Sequence, residues 1–222
     1  MTVAFTDLAE TCAPAVAMET LAAVVSLESN FQPFNIRVNS GLPLERQPKS
    51  KAEAIETAAT LVAERQDIQL GLGGVGIEEL RKLNLTISDA FDPCLNLKAT
   101  ATLLDGYYRL AVRAGAASGQ AERVMLQSYY GRSDPSVGKM VRYDEQIRHE
   151  AKRLSARLAS LAIGQGPHRP DGVDAKAIAT PSVAKAEASQ QPVARAPFWD
   201  VFNAARRSSA LVFQNDQPEQ PE

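Results

Sequence analysis

Met18-Glu19-Thr20-Leu21-Ala22-Ala23-Val24-Val25-Ser26-Leu27-Glu28-Ser29 is an apolar, helix-like run that ends in a carboxylate and a hydroxyl, with Asn30-Phe31 following. A carboxylate in such a place has little water around it. Its acid form is favoured, which makes Glu28 a candidate proton donor near neutral pH. The alternative is a solvated helix-end glutamate, the commoner fate of this residue type.

Helix signals continue outward from this run to about residue 162, and strand signals are few and short. Ser50-Lys51-Ala52-Glu53 reads as a capping box, with Ile55, Ala59 and Val62 on one face of the helix behind it. Asp92-Pro93 reads as an N-cap followed by proline at the first helical position. That helix carries Leu97, Ala101, Leu104, Tyr108 and Ala111 at core spacing and stops near Gly115. Ala121 to Tyr130 is a further amphipathic helix. The last begins near Met140, with Ile147, Ala151, Leu154, Leu158 and Leu161 on its apolar stripe. Arg148, His149, Glu150, Lys152 and Arg153 are expected on its solvent face.

The chain has 222 residues, 45% hydrophobic and 23% charged, enough for one packed domain and something extra. A net charge of -2 gives no sign of nucleic acid or an anionic membrane as partner. No apolar run reaches the roughly 20 residues of a membrane span. The first residues lack a basic start and a long apolar core, so no secretory signal is read in them. Cys12 and Cys94 have the wrong spacing for zinc, and with two histidines no metal site is expected. The two cysteines form one disulfide in an oxidising compartment or stay free and buried.

Composition changes after Gly164, where Ala, Pro, Ser, Gln and Lys dominate. Residues 1–163 are therefore expected to form the domain, and 164–222 a mostly disordered tail. One apolar island, 198–213, interrupts that tail. It holds Phe198-Trp199-Asp200-Val201-Phe202 and Ala210-Leu211-Val212-Phe213, and reads as a docking motif or as a segment folded back over a groove.

Gly71-Leu72-Gly73-Gly74-Val75-Gly76 fits the glycine fingerprint of dinucleotide sites, between a strand at Ile68-Gln69-Leu70 and a helix from Ile77. The surroundings argue against that reading. The helix is short, no second parallel strand is evident, and helices precede the glycines.

Another reading covers the same segment. From Cys12-Ala13-Pro14 onward the chain resembles the lytic transglycosylases of type IV secretion systems, a lysozyme-like family. Glu28-Ser29, Arg46-Gln47-Pro48, Glu53-Ala54-Ile55 and Thr57-Ala58 match it. So do the Asp67 to Val75 segment, Ala90-Phe91-Asp92-Pro93-Cys94-Leu95-Asn96-Leu97, Tyr129-Tyr130 and Tyr143-Asp144-Glu145-Gln146-Ile147. The Trp199-Asp200-Val201 island is similar to a short motif in the tails of such proteins. The order and spacing of these pieces carry the likeness.

The resemblance implies a small all-α, lysozyme-like domain with a sugar cleft, and peptidoglycan glycan strands as substrate. It implies that Glu28 is the catalytic acid and base, with Ser29 orienting it or the substrate's acetamido group. Gly73, Gly74, Val75 and Tyr129 would line the substrate. No cofactor or metal is implied. A periplasmic address follows, with secretion-system subunits as partners through the tail. Related proteins often carry four cysteines, and two of those positions are Tyr107 and Ser128 here. The resemblance then implies a Cys12–Cys94 disulfide. The chain departs from the family where a glutamine and an asparagine are expected, at Gly74 and Gly76. That departure supports a second reading, a weak or inactive glycan-binding component of the apparatus.

Overall fold

The computed structural model describes residues 3–164. Its spine is α2 (Met18–Ser29), in which Leu21, Ala22, Ala23, Val24 and Val25 are all fully buried. A helix that is apolar on every side has to be covered on every side. Leu21, Ala22 and Val25 pack with Phe5, Leu97 and Leu154, while Ala23 and Val24 pack with Leu104, Leu126 and Ile147. α2 is thus surrounded by α1 (Phe5–Cys12), α6 (Pro93–Arg113), α7 (Ser118–Tyr130) and α9 (Tyr143–Ser155). The short α8 (Pro135–Met140) leads from α7 to α9. The predominantly helical architecture agrees with the expected all-α, lysozyme-like class.

A third core lies beneath α3 (Lys51–Ala63), α4 (Ile77–Lys82), α5 (Ile87–Ala90) and a small sheet. The sheet is β1 (Ile36–Val38), β2 (Ile68–Leu70) and β3 (Val75–Gly76), in that order and antiparallel throughout. Ile36 pairs with Leu70, and Leu70 with Val75. This register disposes of the dinucleotide reading. Such a site needs parallel strands joined by a crossover helix, but β2 turns directly back into β3 and the helix after it has six residues.

Local signals act where expected, with some shifts. The Asp92 carboxylate accepts from Leu95 N, and Pro93 opens α6. Ser50 accepts from Glu53 N, but Glu53 reaches Lys49 N, one residue before the cap. The full reciprocal box is at Thr86 and Asp89, a pair the sequence reading passed over. On α3 the buried positions are Ala54 and Ala58, and Ala59 is exposed. On α9 Glu150 does not face solvent, because it is buried against Ser26 of α2. His149 is exposed, as expected.

The two ends of the described region close on each other. Phe5 N donates to Leu161 O at 2.9 Å, and Ile163 N to Val3 O at 3.0 Å. Cys12 and Cys94 are joined in a disulfide that ties α1 to α6, with Cα atoms 5.4 Å apart. Tail residues 165–222, including the 198–213 island, lie outside the described residues.

Candidate active site

Glu28 lies at the last turn of α2, where the chain leaves the helix sharply. Asn30 and Phe31 both take left-handed backbone, at φ 49° and 61°. For an aromatic residue that conformation is costly. It is held by burial of Phe31, whose ring meets Phe5 edge-on at 5.3 Å. Asn35 Nδ2 then donates to Glu28 O at 3.1 Å, so the strand that follows is tied to the helix end.

The Glu28 carboxylate is almost wholly buried, with its side chain 2% exposed. Tyr143 OH donates to Oε1 at 2.6 Å, and the Arg37 guanidinium pairs with Oε2. Burial pushes the Glu28 carboxyl above the usual range, while Arg37 and Tyr143 pull against that shift. Burial and the neighbouring Glu28 also push the Tyr143 phenol well above its ordinary value. Tyr143 therefore stays a donor at any physiological pH.

The glycine loop is fastened beside this group from three sides. Ser29 Oγ donates to Leu72 O at 2.7 Å. Tyr129 OH donates to Gly73 O at 2.7 Å. Asn96 Oδ1 accepts from Gly73 N at 2.8 Å, and its Nδ2 donates to Leu70 O and Ala90 O. Each of these side chains is buried. A hydroxyl has a single proton to give, so Ser29 and Tyr129 spend theirs on the loop rather than on the Glu28 carboxylate. Both are positioning residues in this arrangement.

The loop glycines are required by what surrounds them. A Cβ on Gly74, at φ +65°, would lie 2.8 Å from Glu28 Oε2. A Cβ on Gly73 would strike the Thr100 hydroxyl, and one on Gly76 the Glu79 carboxylate. The space that a side chain at 74 or 76 would take is thus filled by the chain's own carboxylates. Glu79 Oε2 is buried there with no hydrogen-bond partner among the described residues. Val75 was expected at the substrate, but its side chain is 1% exposed and packs in the core under the sheet. A β-strand alternates its side chains between faces, and this one points inward.

A polar cleft of about 340 Å³ opens next to this site. Arg37, Gln69, Tyr130 and Arg132 are among its walls. Arg37 Nε donates to Gln69 Oε1 at 2.7 Å while the same guanidinium holds Glu28, so Arg37 stands between cleft and carboxylate. Arg132 pairs with Asp67 at 2.6 Å across the cleft. Tyr130 packs on Tyr143 with ring centroids 4.9 Å apart. Of the residues expected at the site, Glu28, Ser29, Gly73, Gly74 and Tyr129 come together. Arg37, Asn96 and Tyr143 were missed. Arg37 carries no local signal, and Tyr143 meets Glu28 only through the packing of α9 on α2. Among the described residues no cluster of side chains suits a metal ion.

No family model matches the chain, and no solved structure matches it. Curated relatives do. The chain is 46% identical over 110 residues to the type IV secretion system protein VirB1 of Brucella abortus, covering 50% of this chain and 46% of that one. It is 30% identical over 154 residues to the protein VirB1 of Agrobacterium fabrum, covering 68% of this chain and 60% of that one. A Rhizobium radiobacter protein VirB1 is 32% identical over 105 residues, 47% of this chain and 43% of the relative. The matched region spans about half the length of the Brucella relatives. These VirB1 proteins are homologues of the chain.

Proposed function

From this kinship and the geometry around Glu28, we propose that the protein is a peptidoglycan lytic transglycosylase that opens the cell wall for a type IV secretion apparatus. The observation that carries the reading is one buried carboxylate, oriented by Tyr143 and set behind a polar cleft. Such a group suits both halves of the reaction. As acid, Glu28 gives its proton to the glycosidic oxygen between N-acetylmuramic acid and N-acetylglucosamine, and the bond to C1 breaks. As carboxylate, it takes the proton from the C6 hydroxyl of the muramic sugar, which attacks C1. The product is a 1,6-anhydro ring, and Glu28 regains its acid form. The substrate's own acetamido group supports the cationic centre, so no second protein carboxylate is needed.

Tyr143 holds the Glu28 carboxyl in one orientation. Ser29, Asn96 and Tyr129 hold the Gly71–Gly74 segment against it. The periplasm is the compartment where substrate and the Cys12–Cys94 disulfide both belong. On this reading the 198–213 island recruits secretion subunits. Incubation with purified sacculi tests the activity. Anhydro-muropeptides from the wild-type protein and none from Glu28→Gln are expected. Glycan binding without any cleavage by the wild-type protein would favour a non-catalytic component instead.

A further inference from the structure

Glu28 accepts two bonds in the free protein, one from Tyr143 and one from Arg37. That is the pattern of a carboxylate, which only accepts, and the proposed reaction starts from the acid. Burial alone would supply the acid. Among the described residues, the charged groups that face Glu28 are Arg37 from β1 and Arg132 from beyond α7, and the phenols are Tyr143 of α9 and Tyr129 of α7. Tyr143 and Tyr129 are neutral donors with raised pKa values, and Arg132 is engaged with Asp67. Among the described residues, Arg37 is the one cation in direct contact with the carboxylate.

Arg37 is also the member of the site that can leave. Its side chain is 36% exposed against 2% for Glu28, and it forms part of the cleft wall. An anion entering the cleft meets its guanidinium before it meets Glu28. Carboxylates are the natural partners of that planar group. Peptidoglycan carries them on the peptides attached to muramic acid.

We infer that Arg37 is a substrate-displaced gate: in the free protein its contact draws Glu28 toward the carboxylate form against the effect of burial, and a peptide carboxylate of the glycan strand draws Arg37 away. Glu28 then takes a proton from solvent and is ready to act as acid. This rests on the transglycosylase reading and adds to it a requirement for acidic peptide on the strand. Arg37 is a positioning and specificity residue here.

The test reads Glu28 directly, by carbon-13 NMR of glutamate side chains in the full chain, with Glu28→Gln giving the assignment. Arg37→Gln should move the Glu28 titration to higher pH, because a cation that favours the carboxylate is gone. Arg37→Lys should return most of the shift. Adding a soluble disaccharide-peptide with free carboxylates to the wild-type protein should move the titration the same way, and its methylamide should not. No shift in Arg37→Gln, or the same response to both ligands, overturns the gate. These readouts need no turnover, so they stand apart from the question of cleavage. On sacculi, methylamidation should lower wild-type kcat/KM at least tenfold and leave Arg37→Gln indifferent. Equal losses for both proteins would make Arg37 a merely structural residue.

Discussion

Glu28 and Glu150 are two carboxylates in one helix interface with opposite fates. Glu28 leaves α2 to meet Tyr143 of α9, and Glu150 leaves α9 to meet Ser26 of α2. Each residue is buried to a similar degree, 6% and 8% exposed. Each holds one hydroxyl and one arginine. Yet burial raises the Glu28 carboxyl, while hydrogen bonding from Arg153 lowers that of Glu150. The difference lies in what else surrounds them. Glu150 is at the rim of a surface depression with His149 and Glu145, and two bonds from Arg153 clamp it. Glu28 has Gly74, Tyr143 and the loop closed around it. The same pair of partner types therefore goes with a lowered carboxyl at the edge and a raised one in the interior.

The sharpest way to break this comparison is to neutralise each acid. Glu28→Gln should lose cleavage by about 10²–10⁴-fold, the usual weight of a placed proton donor. Glu150→Gln should keep turnover close to the wild-type protein. Sacculus digestion with both variants decides it, and equal losses would mean that the two sites do not differ in function.

The Cys12–Cys94 bridge braces α1 against α6 and touches neither acid. Its removal in Cys12→Ser/Cys94→Ser should cost about 2–4 kcal/mol of stability. Denaturant midpoints measure that. The Glu28 titration should survive in the fraction that remains folded.

Gly74→Gln asks whether the family side chain is simply missing. The structure leaves that side chain no room. The backbone at φ +65° disfavours any side chain, and its Cβ would press on Glu28 Oε2. Strain of about 1–3 kcal/mol is expected. Turnover should fall, and a gain on sacculi would show that the loop has another resting form.

Tyr143→Phe and Ser26→Ala remove the hydroxyl from each acid in turn. A hydrogen bond to a charged group is worth about 1.5–3 kcal/mol. The buried Tyr143 bond should reach that range and depress kcat. The Ser26 bond, beside an arginine clamp at the rim, should matter less and leave kcat alone. Thermal melts and single-turnover rates separate the two effects.

The smallest effect is the pH dependence of stability. Glu28 has a raised folded-state pKa, so its contribution is complete at acid pH and is lost as pH rises through that raised value. Glu150 has a lowered one, so its contribution is present above the usual carboxylate range and is lost as pH falls through the lowered value. Urea midpoints of the wild-type protein against each Gln variant, over a pH series, should therefore slope in opposite directions. Parallel slopes would remove the contrast.

Much of the frame could be read from local sequence. The apolar run at 18–29 is longer than a buried strand and so reads as a central helix, and Glu28 inherits its place at the end. Asp92-Pro93 starts α6 through chemistry confined to a few residues. The order of short segments marks the kinship with VirB1 proteins without any contact being known. Tertiary structure alone decided the electrostatics. Arg37, Tyr143 and Asn96 reach the site through sheet register and helix packing, over separations that no periodicity encodes. It also decided the meaning of Gly74 and Gly76, which read as losses along the chain. In space a side chain there would collide with Glu28 and Glu79, because interiors are close-packed and a position can hold one group only.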